Sequence, residues 1–246
     1  SGIYMLKRCR ELGLSALVID AATDVGGTWY WNRYPGARCD VESMQYSYQF
    51  DKDLEQEWGW TERYAAQPEI LRYLEYVAER FDLLRDIQFE TRAVGAKFDE
   101  GCSRWQVEFD DGSSASAKYF VMATGCLSAS NTPEFEGLED FSGSCYHTGE
   151  WPHEGVDFTG RRVCIVGTGS SAVQSIPIIA EQAAHLHVFQ RAPNYSIPAH
   201  NAPLDPEFVR KIKSDYAGFR QRGKMSAFGI VDPFPPDEGE DPERVP

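Results

Sequence analysis

Residues 161–191, RRVCIVGTGSSAVQSIPIIAEQAAHLHVFQR, constrain the fold more tightly than any other stretch of this chain. Residues 163–166 form a short apolar, β-branched run of the kind that becomes a buried parallel strand. The run breaks into Gly167, Thr168, Gly169, Ser170, Ser171 and Ala172, a G-x-G-x-x-A loop. An amphipathic segment over 170–184 follows, then a second short strand over 186–190. That order predicts one βαβ unit. Gly167 permits a tight turn, Gly169 lets backbone N–H groups approach a pyrophosphate, and Ala172 keeps helix and strand close. The helix N-terminus adds partial positive charge at the same place. Glycine-rich turns are common, so the loop alone is a weak signal; with its flanking strands and helix it points to a dinucleotide site.

The residue closing the second strand selects the dinucleotide. An acid there accepts a hydrogen bond from the ribose 2′-OH of NAD, whereas the planar fork of Arg191 suits a 2′-phosphate and favours NADP. A solvated arginine at a strand end is the alternative. At 246 residues the chain can hold one large domain or two modest ones, and 42% apolar and 13% aromatic content is ample for a core. A formal net charge of −14 disfavours nucleic acid or an anionic membrane surface as partner. No apolar run reaches transmembrane length, and no signal segment is read ahead of the first helix. Cys9, Cys39, Cys102, Cys126, Cys145 and Cys164 are scattered, without a C-x-x-C or nearby paired histidines. They read as free thiols of a reducing cytoplasm, with neither a metal site nor a disulfide framework expected.

Toward the N-terminus, a helix ending near Gly13, a strand over 16–19 and the acid Asp20 make the second half of a βαβ unit whose first strand is absent. Gly2 then reads as the last glycine of a G-x-G-x-x-G loop and Asp20 as its ribose-binding acid; an ordinary helix–strand pair with a solvated aspartate is the competing reading. Residues 26–40, GGTWYWNRYPGARCD, are rich in glycine and aromatics without a regular period. Such aromatics can wall a flat ligand while the glycines admit close backbone approach, or they can serve as the core of a packed loop. Farther on, helical spacing predicts a helix over 61–84 with Pro68 near a helix start, and strands are expected over 87–91, 93–99, 105–109 and 119–123. Asp110, Asp111 and Gly112 signal a hairpin. A further helix is expected over 205–219, with Asp205 as its N-cap.

Residues 26–40 resemble the A/G-G-x-W-x-x-x-x-F/Y-P-G/M-x-x-x-D pattern of type I Baeyer–Villiger monooxygenases. Gly26, Gly27, Trp29, Tyr34, Pro35, Gly36 and Asp40 fill its fixed places. Residues 141–152, FSGSCYHTGEWP, are similar to that family's F-x-G-x-x-x-H-x-x-x-W-P/D fingerprint through Phe141, Gly143, His147, Trp151 and Pro152. Related flavin-containing monooxygenases usually carry Tyr or Phe where Trp151 stands. The resemblance runs over nearly the whole chain and thins after residue 223.

The resemblance implies an α/β fold of two Rossmann-like dinucleotide-binding domains, for FAD and NADP, each partial, with a small antiparallel β-sheet and the start of a helical insertion. Residues 1–127 would bind FAD and residues 128–198 NADP, with 141–152 as the fingerprint linker; residues 199–246 would begin the insertion and end in a disordered acidic tail. FAD contacts are expected from Gly2, Asp20, Gly27, Thr28, Trp29, Tyr30, Trp31, Asp40 and Tyr46. NADP contacts are expected from Arg38, Cys39 and Asp40, from Gly167 to Ala172, and from Arg191. His147 is implied to couple the two nucleotide domains without performing chemistry, a role compatible with an ordinary buried histidine. Asp40 is implied to orient an arginine beside the flavin that lies beyond this chain; a loop carboxylate capping backbone N–H groups is the plainer reading.

The implied reaction uses NADPH and FAD to insert one oxygen of O₂ next to a ketone carbonyl, giving an ester or lactone. A small ketone and O₂ are the expected partners, with no protein partner. The chain reads as an internal fragment of a protein roughly twice its length, inactive on ketones by itself. Three rivals stand beside this reading: an N- or S-oxygenating flavin monooxygenase, a disulfide-reductase relative, and a non-catalytic NADP-binding module. The absence of a redox C-x-x-x-x-C opposes the second, and the loop over 26–40 opposes the third.

Overall fold

A computed structural model describes residues 1–226 and 229–231. In chain order its elements are α1 (Gly2–Glu11), β1 (Val18–Ile19), α2 (Thr28–Trp31), α3 (Lys52–Glu57), α4 (Gln67–Arg80) and β2 (Ile87–Gln88). There follow β3 (Ala93–Asp99), β4 (Arg104–Phe109), β5 (Ser114–Ala117), β6 (Arg162–Val166), α5 (Ser170–Gln182), β7 (His185–Phe189), α6 (Pro206–Ser214) and α7 (Tyr216–Met225). They form two compact units: Ser1–Ala37 with Ile70–Ala192, and Arg38–Glu69 with the chain from Pro193 onward.

The first unit contains three small sheets. In one, β1 runs parallel to β2, and the ladder continues past the strand ends: Asp20 N–H donates to Gln88 O at 3.0 Å and Thr91 N–H to Asp20 O at 3.1 Å. Helix α1 precedes β1 and buries Leu6; Arg10, near its end, donates through Nε to Asp86 at 2.8 Å and through Nη1 to Asp82 O at 2.6 Å. Strands β3, β4 and β5 make an antiparallel sheet whose β4–β5 turn lies at Asp110–Gly112, as the sequence signal expects. Strands β6 and β7 are parallel, with Val163 opposite Leu186 and Ile165 opposite Val188, and α5 connects them. Helix α4 turns Ile70, Tyr73, Val77 and Ala78 inward, a stripe at helical spacing.

Three expectations are corrected. The helix over 61–84 is shorter, because Pro68 fits only in a helix's first turn and blocks propagation from upstream. Residues 61–66 run instead in irregular, partly extended chain, with Arg38 bridging to Ala66 and Glu62 to Pro203. Residues 119–123 are not a strand, since no described residue supplies the neighbouring ladder their backbone needs, and Tyr119 and Met122 lie exposed. The helix over 205–219 is two helices, broken at Asp215, whose carboxylate accepts from Gly218 N–H at 3.0 Å and so caps α7. Asp205 caps α6 as expected, accepting from Glu207 N–H at 2.9 Å. The acidic tail from residue 232 lies outside the described residues.

The second unit packs Met44, Leu54, Tyr64, Ile212, Tyr216 and Phe219 into its interior. Among the described residues no helix is long and apolar enough to cross a membrane.

Candidate functional site

The glycine loop leaves β6 at Gly167, whose φ of +103° favours glycine and whose N–H donates to Phe189 O at 2.8 Å. Gly169 is the N-cap of α5 in extended geometry, φ −70° and ψ −178°, and no side chain caps the helix. A Cβ built at either glycine meets nothing within 4 Å. First-turn N–H groups at 170–172 without a side-chain cap, at the positive end of a helix and beside glycines with open space around them, fit a pyrophosphate. Thr168 Oγ1 accepts from Gln190 Nε2 at 3.0 Å, pinning the loop to the chain after β7. Arg191 is exposed two residues beyond the strand end, because β7 begins and ends one residue earlier than its sequence pattern indicates.

The aromatic loop divides its rings between two jobs. Gly27 starts α2, which consists of Thr28, Trp29, Tyr30 and Trp31. Tyr30 is buried, with its hydroxyl 2.7 Å from Thr23 Oγ1 and the Arg33 guanidinium 5.2 Å from its ring centroid. Trp31 crosses it edge-on at 4.9 Å and stays partly exposed. His153, just past the fingerprint, meets the same pair at 5.1 Å from Tyr30 and 6.0 Å from Trp31. Partial burial, then the charge of Arg33, hold its imidazole below the ordinary histidine value and favour the neutral ring.

The two motifs meet on α5. The Tyr34 hydroxyl donates to Gln174 Oε1 at 3.0 Å. Gly36 has φ +80°, and a Cβ there would stand 2.3 Å from Gln174 O, so only glycine lets the loop come this close to the helix. The Tyr34 ring packs on a buried cluster of Trp151, Phe158 and Ile179. Trp151 of the fingerprint is thus core, at 7% exposure, whereas Phe141 at the other end of the same fingerprint is 61% exposed. His147 Nδ1 accepts from Gly149 N–H at 3.1 Å and caps the short turn before Trp151. Pro152 follows directly.

These pieces surround a cavity of about 330 Å³, lined by Trp31, Asn32, Arg92, His147, Glu150 and Ser171 together with residues 127–131. It takes one wall from the aromatic loop, one from the fingerprint and one from the first turn of α5. The Ser130 hydroxyl bonds the Glu150 carboxylate. Asn32, Arg92 and residues 127–131 were not legible as site residues: 128–136 reads as a linker of small polar residues, and nothing around Arg92 marks it. At the front of the unit, a Cβ on Gly2 would lie 3.6 Å from Val18 Cγ1, an ordinary contact, so α1 and β1 approach closely there. Asp20 Oδ1 accepts from Ala22 N–H at 2.9 Å at the end of β1.

Arg38, Cys39, Asp40 and Tyr46 belong to the second unit. Arg38 Nη1 pairs with Glu62 Oε2 at 3.3 Å, and Cys39 N–H donates to Ala65 O at 3.0 Å. Asp40 is exposed, and Tyr46 is 39% exposed. Burial, then the neighbouring Tyr46, push the Tyr48 phenol up to about 12. Burial likewise raises the Cys39 thiol to about 11, which leaves about one part in a thousand as thiolate at pH 8. Iodoacetamide at pH 8 is therefore expected to label the exposed Cys102, Cys126, Cys145 and Cys164 and to spare Cys39, as read by peptide mass spectrometry. Among the described residues no group of three or more His, Cys, Asp or Glu side chains is placed to hold a metal.

A family model for flavin-binding monooxygenase-like proteins matches residues 1–198. The chain is 45% identical over 246 residues to a Baeyer–Villiger monooxygenase of Pseudooceanicola batsensis, covering 99% of this chain and 45% of that protein. It is 43% identical over 217 residues to a phenazine N-monooxygenase of Lysobacter antibioticus, covering 88% of this chain and 40% of that protein. A solved structure of an oxidized steroid monooxygenase bound to NADP matches with a TM-score of 0.89 and 56% identity, over 94% of this chain and 44% of that one. The chain spans less than half the length of each. Its fold is accordingly the α/β flavoprotein fold with two Rossmann-like dinucleotide-binding domains, each partly covered.

Proposed function

The chain belongs to the flavin-binding monooxygenase-like family, and from that premise we propose that it is the nucleotide-binding part of a Baeyer–Villiger monooxygenase. The whole protein would use NADPH and FAD to insert one oxygen of O₂ beside a ketone carbonyl. The observation that carries the reading is the junction of Tyr34 and Gly36 with Gln174 and Trp151, by which the aromatic loop and the fingerprint close on the helix after the glycine loop. A plain NADP-binding module has no use for that junction.

Residues 1–127 are assigned to FAD, residues 128–198 to NADP, and residues 199–246 to the start of a helical insertion. NADP would lie with its pyrophosphate on the N–H groups at 170–172, cradled by Gly167, Thr168 and Gly169, where the helix end stabilises negative charge. Arg191 would meet the 2′-phosphate, with Arg38, Cys39 and Asp40 as further contacts. Gly2 and Asp20 would hold the adenosine side of FAD, and Gly27, Thr28, Trp29, Tyr30, Trp31 and Tyr46 would wall the flavin. FAD held there would supply the redox and oxygen chemistry that amino-acid side chains lack. The chain's own part is to bind and orient both nucleotides and to exclude water around them with Trp31 and its neighbours. Asp40 would orient, through charge-assisted hydrogen bonds, an arginine from outside this chain. The free cysteines support a reducing cytoplasmic setting.

One observation favours a second reading, N-oxygenation: the 43% identity to a phenazine N-monooxygenase. The product separates the two. Full-length protein supplied with NADPH, ¹⁸O₂ and a panel of cyclic and linear ketones is expected to yield esters or lactones carrying one ¹⁸O. Conversion of phenazine to its N-oxide with no ketone product would replace the first reading by the second.

A further inference from the structure

The segment after residue 205 enters the sequence only as the start of an insertion, yet its second helix grips the turn that carries Tyr46. Residues 43–47 form a turn that belongs to no strand among the described residues, and Ser43 and Met44 are almost fully buried. A buried backbone carbonyl in such a turn needs a donor from elsewhere. Two side chains of α7 provide them. The Tyr216 hydroxyl donates to Met44 O at 2.7 Å; Arg220 donates through Nη1 to Gln45 O at 2.5 Å and through Nη2 to Ser47 Oγ at 2.7 Å and Ser47 O at 3.4 Å. The Arg220 side chain is 9% exposed; Glu55 on α3 neutralises it at 3.3 Å, and its guanidinium lies 4.8 Å from the Tyr216 ring centroid. Only a planar fork of donors can serve two carbonyls, a hydroxyl and a carboxylate from one stem. Gln45 is held as well, its side-chain oxygen accepting from Val231 N–H at 2.8 Å.

We infer that Tyr216 and Arg220 are positioning residues, which fix the backbone of the turn over 44–47 and thereby set the attitude of Tyr46 toward the flavin. The inference rests on the functional reading above, in which Tyr46 contacts the flavin. The carbonyls of residues 44, 45 and 47 are bound from α7, while Tyr46 between them is 39% exposed. The helical insertion is then part of the flavin site's framework.

The test uses the full-length flavoprotein and three variants. Tyr216→Phe removes one hydroxyl and keeps the packed ring; Arg220→Lys keeps the charge and loses the fork. Lys213→Met is the control, since Lys213 donates to Gln56 O and Trp58 O in the same unit, away from the turn. Tyr216→Phe and Arg220→Lys are expected to raise the flavin dissociation constant about fivefold or more and to increase flavin fluorescence. Lys213→Met is expected to lower the melting temperature with neither change. If Tyr216→Phe and Arg220→Lys lower the melting temperature while flavin affinity and fluorescence match the parent, the grip is a structural brace and the inference falls. A parent protein that binds no flavin would instead overturn the functional reading, and this inference with it.

Discussion

Gly169→Asp is expected to abolish NADP(H) binding while leaving the chain slightly more stable. Gly169 is the N-cap of α5 in extended backbone geometry, which aspartate adopts without strain, and a Cβ there meets nothing within 4 Å. Aspartate is a better N-cap than glycine by a few tenths of a kcal/mol, and its charge gains roughly another 0.3–1 kcal/mol from the helix N-terminus. The N–H groups it would cap are the ones assigned to the pyrophosphate, and its charge repels the phosphates. Loss of at least about 100-fold in affinity, about 2.7 kcal/mol, is expected in a calorimetric titration with NADP⁺. The opposite signs make the result hard to mistake for misfolding. Wild-type affinity in this variant would show that the loop is an ordinary strand-to-helix turn.

Trp151→Ala should cost about 3–5 kcal/mol in a denaturant titration, because the indole is packed against Phe158 and Ile179 with Tyr34 across them. At this chain length that lowers the melting temperature by about 10 °C, a large share of a stability that totals roughly 5–15 kcal/mol in ordinary domains. Phe141→Ala, at the exposed end of the same fingerprint, should change stability by about 0.5 kcal/mol or less. The contrast assigns different work to the two aromatic positions: Trp151 joins the fingerprint to α5, and Phe141 stays at the surface of this chain. Equal losses at both positions would contradict the packing described.

The βαβ unit was readable because its signals are local. A β-branched run, a glycine turn and a 3.6-residue period place β6, α5 and β7 within a residue or two of their observed ends. The remaining one-residue shift at β7 still matters, since it moves Arg191 from the strand end into the exposed chain beyond it. Where local reading fails, a single group decides. Pro68 stops the helix period from running upstream, and the Asp215 carboxylate starts a new helix inside an unbroken helical pattern.

The strand over 119–123 fails for a different reason. Its composition is right, but a strand exists only with a partner, and partners are not written in the strand itself. The same holds for the site. Gly36 signals a turn, yet nothing in the sequence says that the carbonyl it must clear is Gln174. The family patterns name Tyr34 and Trp151 separately, without telling that both pack on one cluster. Arg92 at the cavity wall and the grip of Arg220 on residues 45 and 47 bring together parts of the chain far apart in sequence, at side chains that look like ordinary surface charges when read one at a time.

The most direct measurement is of bound cofactor in the full-length protein that contains this chain. Purified protein is expected to be yellow with about one FAD per chain, and anaerobic NADPH is expected to bleach the flavin. A colourless protein that binds NADP alone would leave the glycine loop in place and contradict the monooxygenase.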